Sequence, residues 1–77
     1  MDIMKYKLLY KLPNTIDKLR IEEKYTYVWM WNLIKDFELQ GLVIITKFKQ
    51  VELTDKGKIV CKLLSEVFKE IENKEKV

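Results

Sequence analysis

The 77-residue sequence contains no histidine and only one cysteine, Cys61. A disulfide within the chain needs two cysteines, and a structural zinc site needs a set of cysteine and histidine ligands, so both are excluded. Histidine is also the commonest general base in enzymes, and the two glycines are too few for a glycine-rich phosphate-binding loop. We therefore expect a protein that is not an enzyme and that uses no cofactor.

Long apolar runs are also lacking. No stretch approaches the roughly 20 apolar residues that cross a bilayer, and lysines interrupt the N-terminal segment, unlike the apolar core of a signal peptide. We therefore expect a cytoplasmic protein with no membrane partner. Hydrophobic residues make up 48% of the chain and charged residues 35%, which is typical of a folded protein. At this length the sequence predicts a single domain over residues 1–77.

Hydrophobic spacing predicts two short helices at the start of the chain. The first covers residues 3–12, where we expect Tyr6 and Tyr10 in the core with their hydroxyls at the surface. The second helix is capped by Thr15 and ends by Ile21. Both helices are therefore expected to pack one apolar face on the rest of the domain.

A third helix, over residues 25–40, has the clearest apolar stripe of the first half. Its core-facing residues are spaced three and four apart: Met30, Leu33, Ile34 and Phe37. Gly41 follows directly, as expected of a residue that ends a helix in the left-handed region. Because Trp29 and Trp31 lie two positions apart, they cannot both face the core, and at least one should be partly exposed.

After this helix the hydrophobic pattern changes to a period of two, which predicts a β-hairpin. The strands are expected at residues 42–47 and 50–53, with the turn near Phe48 and Lys49. Thr54 then caps a long C-terminal helix over residues 55–73. The apolar side of that helix consists of Ile59, Val60, Leu63, Leu64, Val67, Phe68 and Ile71. Cys61 lies beside it and is expected to be reduced and half-buried, with a disulfide between two subunits as the alternative.

This order of elements, mainly α-helical with a small β-hairpin, resembles a winged helix-turn-helix domain: three helices, a two-stranded wing and a long C-terminal helix. Two motifs sharpen the resemblance. Residues 37–43 (FELQGLV) look like the L-E-x-x-G-L-V that ends the recognition helix of MarR-, PadR- and ArsR-like regulators. Residues 53–57 (LTDKG) are similar to their L-T-x-x-G between wing and following helix. The resemblance implies double-stranded DNA as a partner and a role in transcription regulation.

In that fold the helix over residues 25–40 enters the major groove, and the wing over residues 42–53 touches the backbone or the minor groove. Helical geometry and the wing then give the expected DNA-binding residues: Thr26, Tyr27, Val28, Trp31, Asn32, Lys35, Lys47 and Lys49. Asn32 is suited to pair with adenine, and Lys35 to reach guanine or phosphate. The threonine and tyrosine hydroxyls suit phosphates at the start of the helix.

Charge and aromatic residues leave an alternative open. The net charge is only +3, and Lys24 and Lys35, at and within the third helix, are balanced by Asp36 and Glu38. An exposed tryptophan is typical of a protein interface. The same sequence is therefore compatible with a winged-helix protein-interaction module that uses Trp29 or Trp31 and does not bind DNA.

The C-terminal helix has more apolar surface than one small domain covers, which predicts a homodimer. The inner part, residues 60–64, is expected to pack on the chain's own core, and residues 67–71 on the partner. The expected dimer-interface residues are Leu64, Val67, Phe68 and Ile71. The resemblance agrees, because small archaeal winged-helix proteins, from cells and from viruses, commonly pair through a terminal helix. The sequence does not distinguish a cellular protein from a viral one that acts in its host cell.

Overall fold

The computed structural model describes residues 3–75 and the side chains of residues 5–72. The described part is mainly helical with a small antiparallel sheet, as the sequence predicts. In chain order the elements are an N-terminal 3-10 helix (Ile3–Lys11), β1 (Asn14–Thr15), α1 (Ile16–Glu23), α2 (Tyr27–Leu39), β2 (Val43–Ile45), a 3-10 turn (Lys47–Lys49), β3 (Gln50–Leu53) and α3 (Asp55–Glu75). Among these residues, none of the helices combines the length and apolar character of a membrane span.

The sheet has three strands in the order β1-β3-β2, one more than the predicted hairpin. In the added pair Asn14 lies opposite Val51, and Thr15 lies opposite Gln50. A two-residue strand has no hydrophobic period of its own, so only its pairing with β3 defines it. This pairing joins the segment before α1 to the hairpin.

The ends of α1 are set by two local hydrogen-bonding arrangements. Thr15 is the predicted N-cap, and its hydroxyl accepts from the Lys18 N–H at 3.2 Å. At the other end Lys24 takes a left-handed φ of 60° and donates its N–H to the Arg20 and Ile21 carbonyls. The helix therefore reaches Glu23, beyond the predicted end at Ile21, because its polar last turn has no apolar period to mark it.

The start of α2 is capped by Thr26, whose hydroxyl accepts from the Trp29 N–H at 3.2 Å. The helix consequently begins at Tyr27, two residues after the predicted start. Gly41 ends it with φ 77°, and the Gly41 and Leu42 N–H groups donate back into the last turn at 2.9 and 3.0 Å. Gly41 therefore ends the helix as predicted, with the two hydrogen bonds of a Schellman motif.

The core lies between the helices and the inner face of the sheet. Residues with almost no exposed surface are Leu9, Ile16, Leu19, Met30, Ile34, Phe37, Leu42, Val43 and Val51. Three of the four residues predicted in the α2 stripe are fully buried, while Leu33 is only partly buried. Tyr6 is buried as expected and donates from its hydroxyl to Gln40 Oε1 at 2.9 Å. The expectation for Tyr10 is wrong, because 45% of this residue is exposed.

The hairpin matches the predicted β3, but β2 covers residues 43–45 rather than 42–47. Thr46 closes the hairpin loop. It donates to the Gln50 carbonyl from both its N–H (2.7 Å) and its hydroxyl (3.0 Å). Between these residues Phe48 and Lys49 both have a φ of 60°. The turn is therefore tight and left-handed although it contains no glycine.

α3 begins against the end of α2. The Thr54 hydroxyl accepts from the Gly57 N–H at 3.0 Å and donates to the Gly41 carbonyl at 2.6 Å. Lys56 Nζ donates to the Gln40 carbonyl at 2.7 Å. The helix continues to Glu75, two residues beyond the prediction. The predicted cap at Thr54 is thus confirmed, and it also bonds to the chain segment that follows α2.

Replacing Gly57 with alanine is expected to destabilise the domain by about 2 kcal/mol, although alanine is the better helix former. An added Cβ would overlap the Leu42 carbonyl oxygen and lie 3.1 Å from Leu53 Cδ2. A backbone oxygen cannot rotate away as a flexible side chain can. Urea denaturation measures the change, with Lys62→Ala on the exposed side of the same helix as control. A Gly57→Ala protein as stable as the wild type would contradict this close packing.

Candidate nucleic-acid interface

One face of α2 is turned away from the core. Val28, Asn32, Lys35 and Leu39 follow one another at intervals of three or four residues, and all four are exposed. Val28 is 66% exposed and Leu39 is 86% exposed. The outward placement of Val28, Asn32 and Lys35 agrees with the angular prediction. α2 therefore presents one amide, one ammonium and two aliphatic side chains along a single line.

Two aromatic rings beside this line connect α2 to the hairpin, together with Lys35 of the line and Lys49 of the hairpin. The rings of Tyr27 and Trp31 are nearly parallel, with centroids 6.3 Å apart and planes at 10°. Lys49 Nζ lies 4.7 Å from the Tyr27 ring centroid, and Lys35 Nζ lies 5.5 Å from that of Trp31. We call Lys49, Tyr27, Trp31 and Lys35 the lysine–aromatic ridge. The sequence predicts each residue in the interface but not their contact, because Tyr27 and Lys49 belong to different elements.

The two lysines of the ridge differ in their electrostatic surroundings. Hydrogen bonding with the Tyr27 side chain raises the pKa of Lys49 above its usual value, and Asp17 adds to that rise. Lys35 Nζ lies 3.2 Å from Glu38 Oε1 on the next turn of α2. The hairpin lysine thus has a stabilised positive charge, while that of the helix lysine is partly balanced.

The tip of the hairpin consists of Lys47, Phe48 and Lys49, all of which are exposed. The exposure of both lysines agrees with their predicted placement. Phe48 is 93% exposed and is not among the predicted binding residues. The sequence gives little sign that Phe48 is exposed, because a phenylalanine between two lysines also suits a strand with one buried face.

On the side of α2 toward the N-terminal 3-10 helix lies a second aromatic pair. The Tyr25 and Trp29 rings stack with centroids 4.1 Å apart, and Trp29 is 45% exposed. The expectation of at least one partly exposed tryptophan is therefore confirmed. The pair borders a cavity of about 450 Å³. At its rim Lys11 pairs with Glu23, and that hydrogen bond raises the pKa of Lys11.

The exposed apolar line of α3 differs from the predicted dimer interface. It consists of Ile59, Leu63, Val67 and Ile71, which are 61%, 58%, 43% and 36% exposed. Val67 and Ile71 are predicted to face a partner, and both are available for one. Ile59 and Leu63 are not assigned to a partner by the sequence, because spacing alone does not distinguish which of two adjacent stripes faces the core.

The prediction that Phe68 contacts a partner subunit is wrong. This residue is only 6% exposed and packs on the chain's own N-terminal helix, edge-on to Tyr10 at 6.1 Å between centroids. Lys7 Nζ also lies over its ring at 5.0 Å. Leu64 is half-buried and lines an apolar groove of about 350 Å³ with Tyr6 and Val60. The buried stripe of α3 therefore extends further along the helix than predicted.

Cys61 is a free, half-buried thiol, as expected from its position beside the stripe. Burial raises the pKa of this thiol, so it is protonated at neutral pH. In the part of the chain that the structure describes, no three acidic or cysteine side chains are grouped to hold a metal ion.

No protein-family model matches the chain, and no curated protein matches it in sequence. The resemblance to winged helix-turn-helix regulators therefore depends on the order of elements and on the two motifs. Residues 37–43 form the end of α2 and its glycine stop, and residues 53–57 form the junction from β3 into α3. One motif thus lies at each end of the hairpin.

Proposed function

We propose that the protein is a dimeric winged-helix DNA-binding protein and a regulator of transcription in the cytoplasm. α2 reads the major groove, and the β2–β3 hairpin contacts the backbone or the minor groove as the wing. The observation that carries this proposal is the lysine–aromatic ridge, because Lys49 of the hairpin lies over Tyr27 of α2. Helix and hairpin therefore present a continuous surface with lysines at both ends.

The topology supports the proposal. A helix, a short strand, two helices, a hairpin and a long helix, with the sheet order β1-β3-β2, is the arrangement expected of a winged helix. In this arrangement the first strand pairs with the hairpin and fixes it beside α2. Function still depends on the exposed residues, since one fold serves several roles.

The chemistry of the outward line of α2 suits base edges. Asn32 can both donate to and accept from adenine, Lys35 can donate to guanine, and Val28 can contact a thymine methyl group. The Thr26 hydroxyl accepts from the Trp29 N–H, which leaves its proton available to a phosphate. The side chains at the start and in the middle of α2 therefore provide both positioning and base contacts.

Charge favours a dimer over a monomer for this task. On α2 Lys35 pairs with the Glu38 carboxylate, and Asp36 pairs with Lys5 of the N-terminal helix, so most phosphate contacts fall to the exposed Lys18, Lys47 and Lys49. Affinity for DNA depends strongly on the number of phosphates neutralised. Two subunits joined along the exposed apolar line of α3 would double that number and place two α2 helices on one DNA molecule.

DNA binding measured across a salt series tests the proposal. Six phosphate contacts from two subunits predict that log K falls with log salt with a slope of about −5. Random-sequence and A·T-rich duplexes are used, and the mass of the free protein is determined at the same concentrations. Preference for a two-fold-related site supports the dimeric regulator. The absence of binding by the folded protein at low salt would overturn it.

A protein-interaction module that does not bind DNA is the second candidate. The stacked Tyr25 and Trp29 pair favours it, because aromatic residues are enriched at protein interfaces and this pair lies outside the DNA-facing line. Under this candidate, Trp29→Ala abolishes capture of the partner protein. Under the DNA proposal, Trp29→Ala leaves DNA affinity unchanged.

A further inference from the structure

Phe48 is the most exposed large hydrophobic residue in the described part of the chain, at 93%. It occupies the tip of the hairpin, where a polar residue would avoid the cost of leaving a phenyl ring in water. The fully buried Phe37 and the nearly buried Phe68 are the other phenylalanines. Phe48 therefore contributes nothing to the core, and its ring is available to a ligand.

The backbone holds this ring outward in an unfavourable conformation. Phe48 has φ 60° and ψ 27°, and Lys49 follows with φ 60°. Positive φ is rare for bulky residues, and such strain is found where surrounding structure holds a residue for a ligand. Here the two hydrogen bonds from Thr46 to the Gln50 carbonyl close the loop around the tip. These bonds thus hold the backbone of the tip in the conformation that exposes the ring.

The charges beside the ring indicate what it meets. Lys47 and Lys49 flank Phe48, and Lys49 also belongs to the lysine–aromatic ridge that leads to α2. An aromatic residue with a lysine directly before and after it in the chain suits a stack of bases flanked by phosphates. A bilayer would also accept an aromatic ring with lysines, but the ridge connects this tip to the polar line that contains Asn32.

We propose that Phe48 is a wedge that enters the minor groove and partly unstacks one base-pair step, while Lys47 and Lys49 bind the phosphates beside it. Apolar wedges of this kind kink the duplex and are typical of proteins that deform DNA. Pyrimidine–purine steps such as TA unstack most easily, so they are the preferred binding sites. This inference rests on the proposed DNA-binding function and gives the wing a specific role within it.

The test compares Phe48→Asn with Lys47→Ala. Asparagine tolerates positive φ, so the first variant removes the ring without disturbing the turn. We expect it to bind A·T-rich duplex about tenfold more weakly than wild type with an unchanged salt slope, because stacking on a base is not electrostatic. Lys47→Ala should instead reduce the salt slope by about one for each phosphate that is no longer neutralised.

Plasmid topology gives a second measurement. Closed-circular plasmid relaxed by topoisomerase in the presence of wild-type protein should show a changed linking number, since a wedge unwinds and bends the duplex. Phe48→Asn should lose this change, and Phe48→Trp, which restores a ring, should keep it. Thermal melting of each variant checks the fold.

The outcomes separate the wedge from the general function. If Phe48→Asn equals wild type in affinity and linking number, the wedge is overturned while DNA binding stands. If wild-type protein binds no DNA, the proposed function and the wedge both fall. If vesicles containing phosphatidylserine bind in a Phe48-dependent manner and plasmid topology does not change, the tip contacts lipid and the wedge is overturned.

Discussion

Replacing Asn32 and Lys35 with alanine together is expected to weaken the proposed sequence-specific DNA binding by about 100-fold or more. Each good side-chain contact to a base edge contributes roughly 1–3 kcal/mol, and 1.4 kcal/mol is a factor of ten. The lysine substitution has a further effect, since Glu38 loses the ammonium group that lies 3.2 Å away. Its carboxylate then repels the DNA phosphates. Competition binding against random-sequence DNA measures the change.

The fold of this double variant should be preserved, because both side chains are exposed and Lys35 makes only a surface ion pair with Glu38 and a surface contact over the Trp31 ring. Lys62→Ala is the matched control, since it removes an exposed lysine from α3, outside the proposed DNA-binding face. Circular dichroism and thermal melting check both proteins. A double variant that binds its preferred fragment within a factor of three of wild type would place recognition on another surface.

Replacing Leu63 and Val67 with glutamate is expected to raise the dissociation constant of the proposed dimer by about 1,000-fold or more. Two carboxylates in an apolar interface lose their hydration without gaining partners, which costs several kcal/mol in total. In the single chain the same positions are 58% and 43% exposed, so the monomer should remain folded. Sedimentation velocity or light scattering across a concentration series measures the dissociation.

The control for the charge itself is Lys62→Glu, which lies beside the same helix face and should leave the dimer intact. Phe68→Glu is unsuitable, because it would bury a carboxylate within the chain's own core and unfold the domain. The Leu63→Glu, Val67→Glu monomer should bind DNA with about half the salt slope, since one subunit neutralises half as many phosphates as two. A dimer that persists in this variant would place the subunit interface elsewhere.

Much of the secondary structure could be predicted from local pattern. The apolar stripe of α2, the glycine after it and the alternation in β3 each depend on neighbours within a few residues. The strand β1 could not be predicted, since Asn14 and Thr15 are defined by β3 alone. The predicted end of α1 is two residues too early for a related reason. Its last turn is held by the left-handed Lys24 rather than by apolar residues.

The candidate site divides in the same way. The periodicity of a helix decides which residues of α2 face outward, so Asn32 and Lys35 could be placed from the sequence. The contact between Lys49 and Tyr27 joins two elements and depends on the position of the hairpin. The prediction for Phe68 is wrong for the same reason, since the Tyr10 ring that packs on it comes from the other end of the chain. Contacts between distant segments decide which of two apolar stripes is buried.

The junction between α2 and α3 has a mechanical consequence. The Thr54 hydroxyl bonds to the Gly41 carbonyl, and Lys56 Nζ bonds to that of Gln40, so the end of α2 and the start of α3 act as a rigid bracket. In a dimer joined through α3, this bracket fixes the distance and angle between the two α2 helices. One extra base pair between half-sites rotates one of them by about 35° around the DNA axis. Under the proposed function, half-site spacing should therefore limit the choice of DNA site as strictly as base identity does.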